Sequence, residues 1–152
     1  MNTLSKKCKY ALRALYRLTR EYDTGPVLIA RVAEREGIPR KFLEAILLQL
    51  KLAGIVDSRK GRRGGYFLAL PPNRITLGAI IRTVDGPLAP LPCAREAADQ
   101  PCAECAGKPI CETRMVMREV RDAIAGVVDH TTLAGVCSRA PEEAEAAITY
   151  DI

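Results

Sequence analysis

Four cysteines, Cys93, Cys102, Cys105 and Cys111, stand within nineteen residues at the spacing C-x8-C-x2-C-x5-C. Thiolates gathered at short, irregular intervals on one loop are the donor set that an iron–sulfur cluster takes. The stretch is broken by Pro92, Pro101 and Pro109 and holds little apolar side chain. It cannot pack a core of its own, so a bound metal or cluster is the natural agent to order it. The same thiols offer two other chemistries. Cys102-Ala103-Glu104-Cys105 is a C-x2-C unit that can close a disulfide or form half a zinc site, although no second C-x2-C completes the usual zinc pairing. Arg95 and Lys108 stand near enough in sequence to lower a thiol pKa. Of the other cysteines, Cys8 falls in a basic N-terminal stretch and Cys137 follows the last helical turn, where it reads as a bystander. His130, the only histidine, reads as a polar residue at a helix end. With one histidine, no glycine-rich phosphate loop ahead of a helix and no recognisable pair of catalytic acids, hydrolysis and group transfer are excluded and a non-enzyme is expected.

The elements that must hold this loop are helical. An apolar content of 48% with two Phe, five Tyr and no Trp means a core of Leu, Ile, Val and Ala. The 152 residues suffice for one domain with a real core, or a small domain with an oligomerising arm. Residues 1–9 are basic but lack an apolar signal core, and no run of about eighteen apolar residues follows, so export and membrane insertion are not expected. The cytoplasm is the default compartment, where clustered cysteines serve metal or redox chemistry more often than structural disulfides. Charge is divided unevenly. Residues 1–74 carry 16 Lys+Arg against 6 Asp+Glu, a balance of +10, while residues 75–152 carry 7 against 12, a balance of −5. A basic half of this kind is the footprint of a module that binds a polyanion by releasing condensed counterions.

Apolar residues at Ala11, Ala14, Leu15, Leu18 and Tyr22 predict a first helix over residues 4–21, capped by Thr3 or Ser5 and opening with Lys6, Lys7 and Lys9 as candidate phosphate contacts. A short helix over residues 29–36 ends at Gly37. A third, from Pro39, carries Phe42, Leu43, Ile46, Leu47 and Leu50 inward up to Gly54. Two helices joined by a tight glycine turn form a helix-turn-helix, whose second member would bring Arg40, Lys41 and Glu44 to base edges in a major groove. Two β-type runs, 55–58 and 66–70, flank Arg59, Lys60, Gly61, Arg62, Arg63, Gly64 and Gly65, a hairpin with a basic tip. A short helix capped by Thr76 follows. From about Glu112 to Asp129 a long helix carries an apolar stripe of Val116, Val120, Ala123, Ile124 and Val127 that needs a partner surface, for which a second copy is the natural occupant.

The expected fold is mainly α with a small β-hairpin wing: a winged helix-turn-helix DNA-binding domain (1–84), a cysteine-rich sensor loop (85–111), a dimerisation helix with a last turn (112–137) and a C-terminal tail (138–152). Its partners would be double-stranded DNA, as a palindromic operator, and a second copy of the chain. An electron carrier or thiol oxidoreductase would use the cysteines but leave the basic wing unexplained.

Several motifs occur in a fixed order: Lys9-Tyr10-Ala11-Leu12; the run from Ile38 through Phe42-Leu43-Glu44 to Leu50; Lys60-Gly61 to Gly64-Gly65-Tyr66; Ile75-Thr76-Leu77-Gly78; Val84-Asp85; the cysteine loop; and Thr132-Leu133. In these the chain resembles the Rrf2 family of bacterial transcription regulators over about residues 2–137. The resemblance implies a dimeric winged-helix DNA-binding protein holding a 2Fe-2S or 4Fe-4S cluster in the loop before the dimer helix. It further implies that such a cluster sets DNA affinity in response to iron, redox state or nitric oxide. It puts three ligands at Cys93, Cys105 and Cys111. The fourth varies in the family. A histidine used by some members corresponds here to Arg114, which cannot ligate, and an acidic residue used by others corresponds to Lys9. Cys102, which completes the set locally, is preferred as fourth ligand, with Cys8 of the same or the partner chain as its competitor.

Overall fold

The computed structural model describes residues 4–97, 104 and 110–140. Helix α1 (Lys6–Arg20) begins where Ser5 accepts a hydrogen bond from the Cys8 amide at 3.0 Å, a side-chain N-cap. Cys8, Ala11, Ala14, Leu15 and Leu18, one helical face, turn into the core. Ser5 also binds the Asp85 carboxylate through its amide, at 2.9 Å, and through its hydroxyl, which pins the start of α1 to the end of the fourth helix.

Helices α2 (Ile29–Glu36) and α3 (Arg40–Leu52) form the expected helix-turn-helix. Gly37 takes φ +59° and returns its amide to the carbonyls of Ala33 and Glu34, a left-handed cap that a residue with Cβ adopts only at a cost. Leu43, Ile46, Leu47 and Leu50 are wholly buried. Phe42, expected inward with them, is 39% exposed, because its place on the helix flanks the buried face; its ring meets Tyr10 edge-on at 5.7 Å. Glu36, at the end of α2, is buried with Arg17 of α1, Nε to Oε1 at 3.0 Å, while Arg13 donates to the Glu36 carbonyl. A buried ion pair contributes little net stability, but its geometry fixes how α2 lies on α1.

Strands β1 (Val56–Arg59) and β2 (Gly65–Leu68) pair antiparallel from Val56↔Leu68 to Arg59↔Gly65. Val27 adds a one-residue third strand through two bonds with Tyr66, at 2.8 and 2.9 Å. Gly65 permits that approach, since a Cβ there would collide with the Val27 carbonyl. Lys51, in the last turn of α3, bonds Asp57 at 2.9 Å and Ser58 at 2.6 Å, fastening the hairpin to α3.

Helix α4 (Leu77–Asp85) is capped by Thr76, as the sequence predicts, and sets Ile80 and Ile81 in the same core. The long helix α5 runs Glu112–Val128. In place of the expected last turn, the structure has a seven-residue helix, α6 (Leu133–Arg139), which extends past residue 137. Leu133 is fully buried, and residues 75–77 and 131–133 exchange main-chain bonds, Leu77 N–H to Thr131 and Leu133 N–H to Ile75. These contacts return the chain to α1 after α5. Among the described residues no helix is long and apolar enough to cross a membrane.

Candidate nucleic-acid interface and thiolate loop

Arg40, Lys41 and Glu44 are exposed in the first turns of α3, as recognition of a groove requires. Arg40 Nε lies 3.2 Å from Glu44 Oε1, so the two side chains form one i,i+4 unit in the free protein. Arg59, Lys60, Arg62 and Arg63 are all exposed on the wing, and among the described residues none of the four has a side-chain hydrogen bond or ion pair. On α1, Lys6 lies 5.6 Å above the Tyr10 ring and Arg13 lies 6.0 Å from it. Because Tyr10 also packs on Phe42, both cations sit beside the start of the recognition helix. Lys9 is exposed and Lys7 half-buried. Arg13 has no signal in the sequence beyond being one more helix arginine; its position depends on Tyr10 and Glu36.

Cys93 and Cys111 flank the cysteine-rich segment, most of which lies outside the described residues. Cys93 lies half-buried in a 3-10 turn, Pro92–Ala94, and Cys111, also half-buried, is the N-cap residue of α5. Cys102 and Cys105 lie outside the described residues. Among those described, no three His, Cys, Asp or Glu side chains converge on a metal position. Two arginines of α5 hold the turn. Arg114 Nε donates to the Cys93 carbonyl at 2.9 Å, and Arg121 Nη1 donates to the Ala94 carbonyl at 2.7 Å. Arg114, where the resemblance puts a histidine ligand in some members, thus touches Cys93 through its main chain.

Cys8 is fully buried on α1. Burial first, then the charge of Asp85 and a hydrogen bond to it, pushes its pKa from 9.0 up to about 11. A thiol held protonated is a poor ligand, since metals bind thiolate. Cys137 Sγ lies 3.9 Å from the Tyr16 carbonyl, and His130 Nδ1 lies 2.9 Å from the Gly126 carbonyl at the end of α5, a local helix-end bond.

The far end of α5 is fixed to α4. Arg82 makes a bidentate pair with Asp129, at 2.5 and 2.9 Å, and this holds the Asp129 carboxyl below its usual range. Between that pair and the cysteine turn lies a cleft of about 530 Å³ walled by Leu88, Pro92, Arg95, Glu96 and Arg121. No residue of α5 is buried. Val116, Val120, Ile124 and Val127, at spacings of four, four and three, remain 52%, 37%, 38% and 66% exposed. The stripe expected from the sequence therefore finds no cover within the described chain.

The Rrf2 family model, described as an iron-dependent transcriptional regulator, matches residues 4–139. The chain belongs to the Rrf2 family of transcription regulators. A rrf2-like HTH-type regulator of Rhodobacter capsulatus is 42% identical over 86% of this chain and 89% of its own. Among solved structures, CymR, titled the global cysteine regulator of B. subtilis, superposes with a TM-score of 0.73 at 31% identity, covering 91% of this chain and 98% of CymR. T. potens IscR gives 0.73 at 30% identity, covering 93% and 90%. The Rrf2 assignment makes this protein a DNA-binding transcription regulator with a winged-helix fold, and not an enzyme.

Proposed function

We propose that two copies pair through the exposed stripe of α5, present two recognition helices and wings to a palindromic operator in the cytoplasm, and set their affinity by the state of the cysteine loop. The observation that carries this reading is the common attachment of the loop. Its first cysteine is bonded to α5 and its last caps the same helix, whose apolar face is uncovered. A change in the loop then acts on the element that would join the two DNA-binding halves.

An iron–sulfur cluster, 2Fe-2S or 4Fe-4S, fits the donor set. Four thiols are available, Cys93 and Cys111 are partly accessible at the loop ends, and Cys102 and Cys105 fall between them in sequence. Cys102 is the better fourth ligand, because Cys8 would have to leave the hydrophobic core and lose a proton. When bound, such a cluster supplies a site that gains or loses electrons and reacts with oxidants or nitric oxide. The chain's part is to hold Cys93 and Cys111 in place and to aim Arg40, Lys41, Glu44 and the wing arginines at DNA. An absorption spectrum with iron and acid-labile sulfide analysis on protein purified without oxygen tests the assignment. Visible bands with matched iron and sulfide are expected; a colourless protein with neither, even after reconstitution, would remove the cluster.

The C-x2-C unit supports a second reading, in which the loop cysteines themselves are the switch and Cys102 and Cys105 close a disulfide. Protein without colour whose DNA affinity follows added reductant would support it. Zinc has less support, for want of a second C-x2-C.

A further inference from the structure

We propose that Arg114 and Arg121 are positioning residues that hold the Cys93 end of the loop on α5, so that half of the thiol set is in place before anything binds. The proposal rests on the loop being the sensor, but not on which chemistry it uses. Among the described residues, the turn that carries Cys93 has little else to hold it. Its internal bonds are Ala94 N–H to Leu91 and Arg95 N–H to Pro92, at 3.0 and 3.3 Å, and Ala94 is its only fully buried side chain. Its outward carbonyls, those of Cys93 and Ala94, each take a charged donor from α5.

The two arginines stand seven residues apart, two turns of one helix face, so both reach the same turn. Arg121 is well set in, with its side chain 14% exposed. Cys111 needs no such device because it is the residue from which α5 starts. The loop therefore has both ends on one helix: one end covalently continuous with it, the other held by two guanidinium–carbonyl bonds. A hydrogen bond from a charged donor is about twice as strong as a neutral one, and its loss is felt where the carbonyl is partly buried. Either arginine lost should let the turn open roughly tenfold more often, the effect of a change of about 1.4 kcal/mol.

Amide hydrogen exchange on the full-length, metal-free, reduced protein reads that opening at Ala94 and Arg95 with no contribution from a cluster. The expected result is exchange about tenfold faster in Arg114→Ala and in Arg121→Ala, no change in Arg118→Ala on an exposed position of the same helix, and recovery towards wild type in Arg114→Lys, whose ammonium can still reach the carbonyl. Alkylation of Cys93 by iodoacetamide, followed by peptide mass spectrometry, should accelerate in the same two variants while Cys8 stays protected. Unchanged exchange at Ala94 and Arg95 in both alanine variants, with helical content intact, would overturn the proposal. So would faster exchange spread evenly along α5, which would mean a general loss of structure, or no recovery with lysine, which would mean that a charged donor at position 114 is not what holds the turn. A protein that never binds iron or sulfide would refute the cluster and leave these outcomes readable.

Discussion

Gly78→Ala tests whether the Arg82–Asp129 pair is what fastens the end of α5 to α4. Gly78 is buried in the first turn of α4, and a Cβ placed there would overlap the Asp129 carboxylate and come within 2.8 Å of Arg82 Nη1. The obstruction is the tip of two flexible side chains, so the helix survives and the ion pair gives way. Replacing helical Gly by Ala contributes at most about 1 kcal/mol of stability. Breaking a bidentate pair whose two members are 35% and 36% exposed costs on the order of 1 kcal/mol, the upper end for exposed pairs. In the wild-type background the two effects nearly cancel. In an Asp129→Ala background the obstruction is gone and the alanine should stabilise by up to about 1 kcal/mol. A double-mutant cycle by urea unfolding therefore predicts a coupling of about 1 kcal/mol between positions 78 and 129. An equal effect of Gly78→Ala in both backgrounds would refute the reasoning, because the carboxylate would then not be the group the Cβ meets.

Removing Arg62 and Arg63 together should lower the salt dependence of duplex binding. The proposed pair of chains would then lack four cations, and if each neutralises one phosphate the slope of log K against log salt falls by about 3.6, readable by fluorescence anisotropy on a random-sequence duplex. Burial of Cys8 gives an alkaline limit. Its folded pKa, about 11, lies above the ordinary 9.0, so stability from the neutral thiol is complete below pH 9 and is lost as pH rises towards 11. Denaturation followed from mildly alkaline pH up to about pH 11 should show that decline, and Cys8→Ala should flatten it.

Where the chain obeys local rules, its structure was legible. The 3.6-residue periodicity of Leu43, Ile46, Leu47 and Leu50, the glycine after α2, the basic hairpin and the cap at Thr76 are all decided within a few residues of themselves, and the structure has each of them. The apolar stripe of α5 was equally plain. What escaped depends on distance along the chain. Leu133 reads as part of a last turn because nothing near it reveals that residues 131–133 will pair with 75–77. Arg82 and Asp129 are 47 residues apart, and Arg17 and Glu36 are 19 apart; a charge on a helix looks the same whether it is solvated or paired. Phe42 was misplaced for a related reason, as period alone does not separate the edge of an apolar face from its centre. At the candidate site, the spacing of the cysteines singles out Cys93 and Cys111 as ligands, which remains the proposal made above. The arginines that hold the turn were not legible, since a guanidinium bonded to a main-chain carbonyl has no partner side chain to notice.

The proposed link runs from the cysteine loop through α5 to DNA. Its direct test is the affinity of the anaerobically purified protein for a duplex selected from a random library, measured before and after treatment with a metal chelator under reducing conditions. Coupled sites of this kind differ by roughly 5- to 150-fold. A difference in that range is expected for the wild-type protein and none for Cys93→Ser. Equal affinity in the wild-type protein before and after treatment would contradict the link.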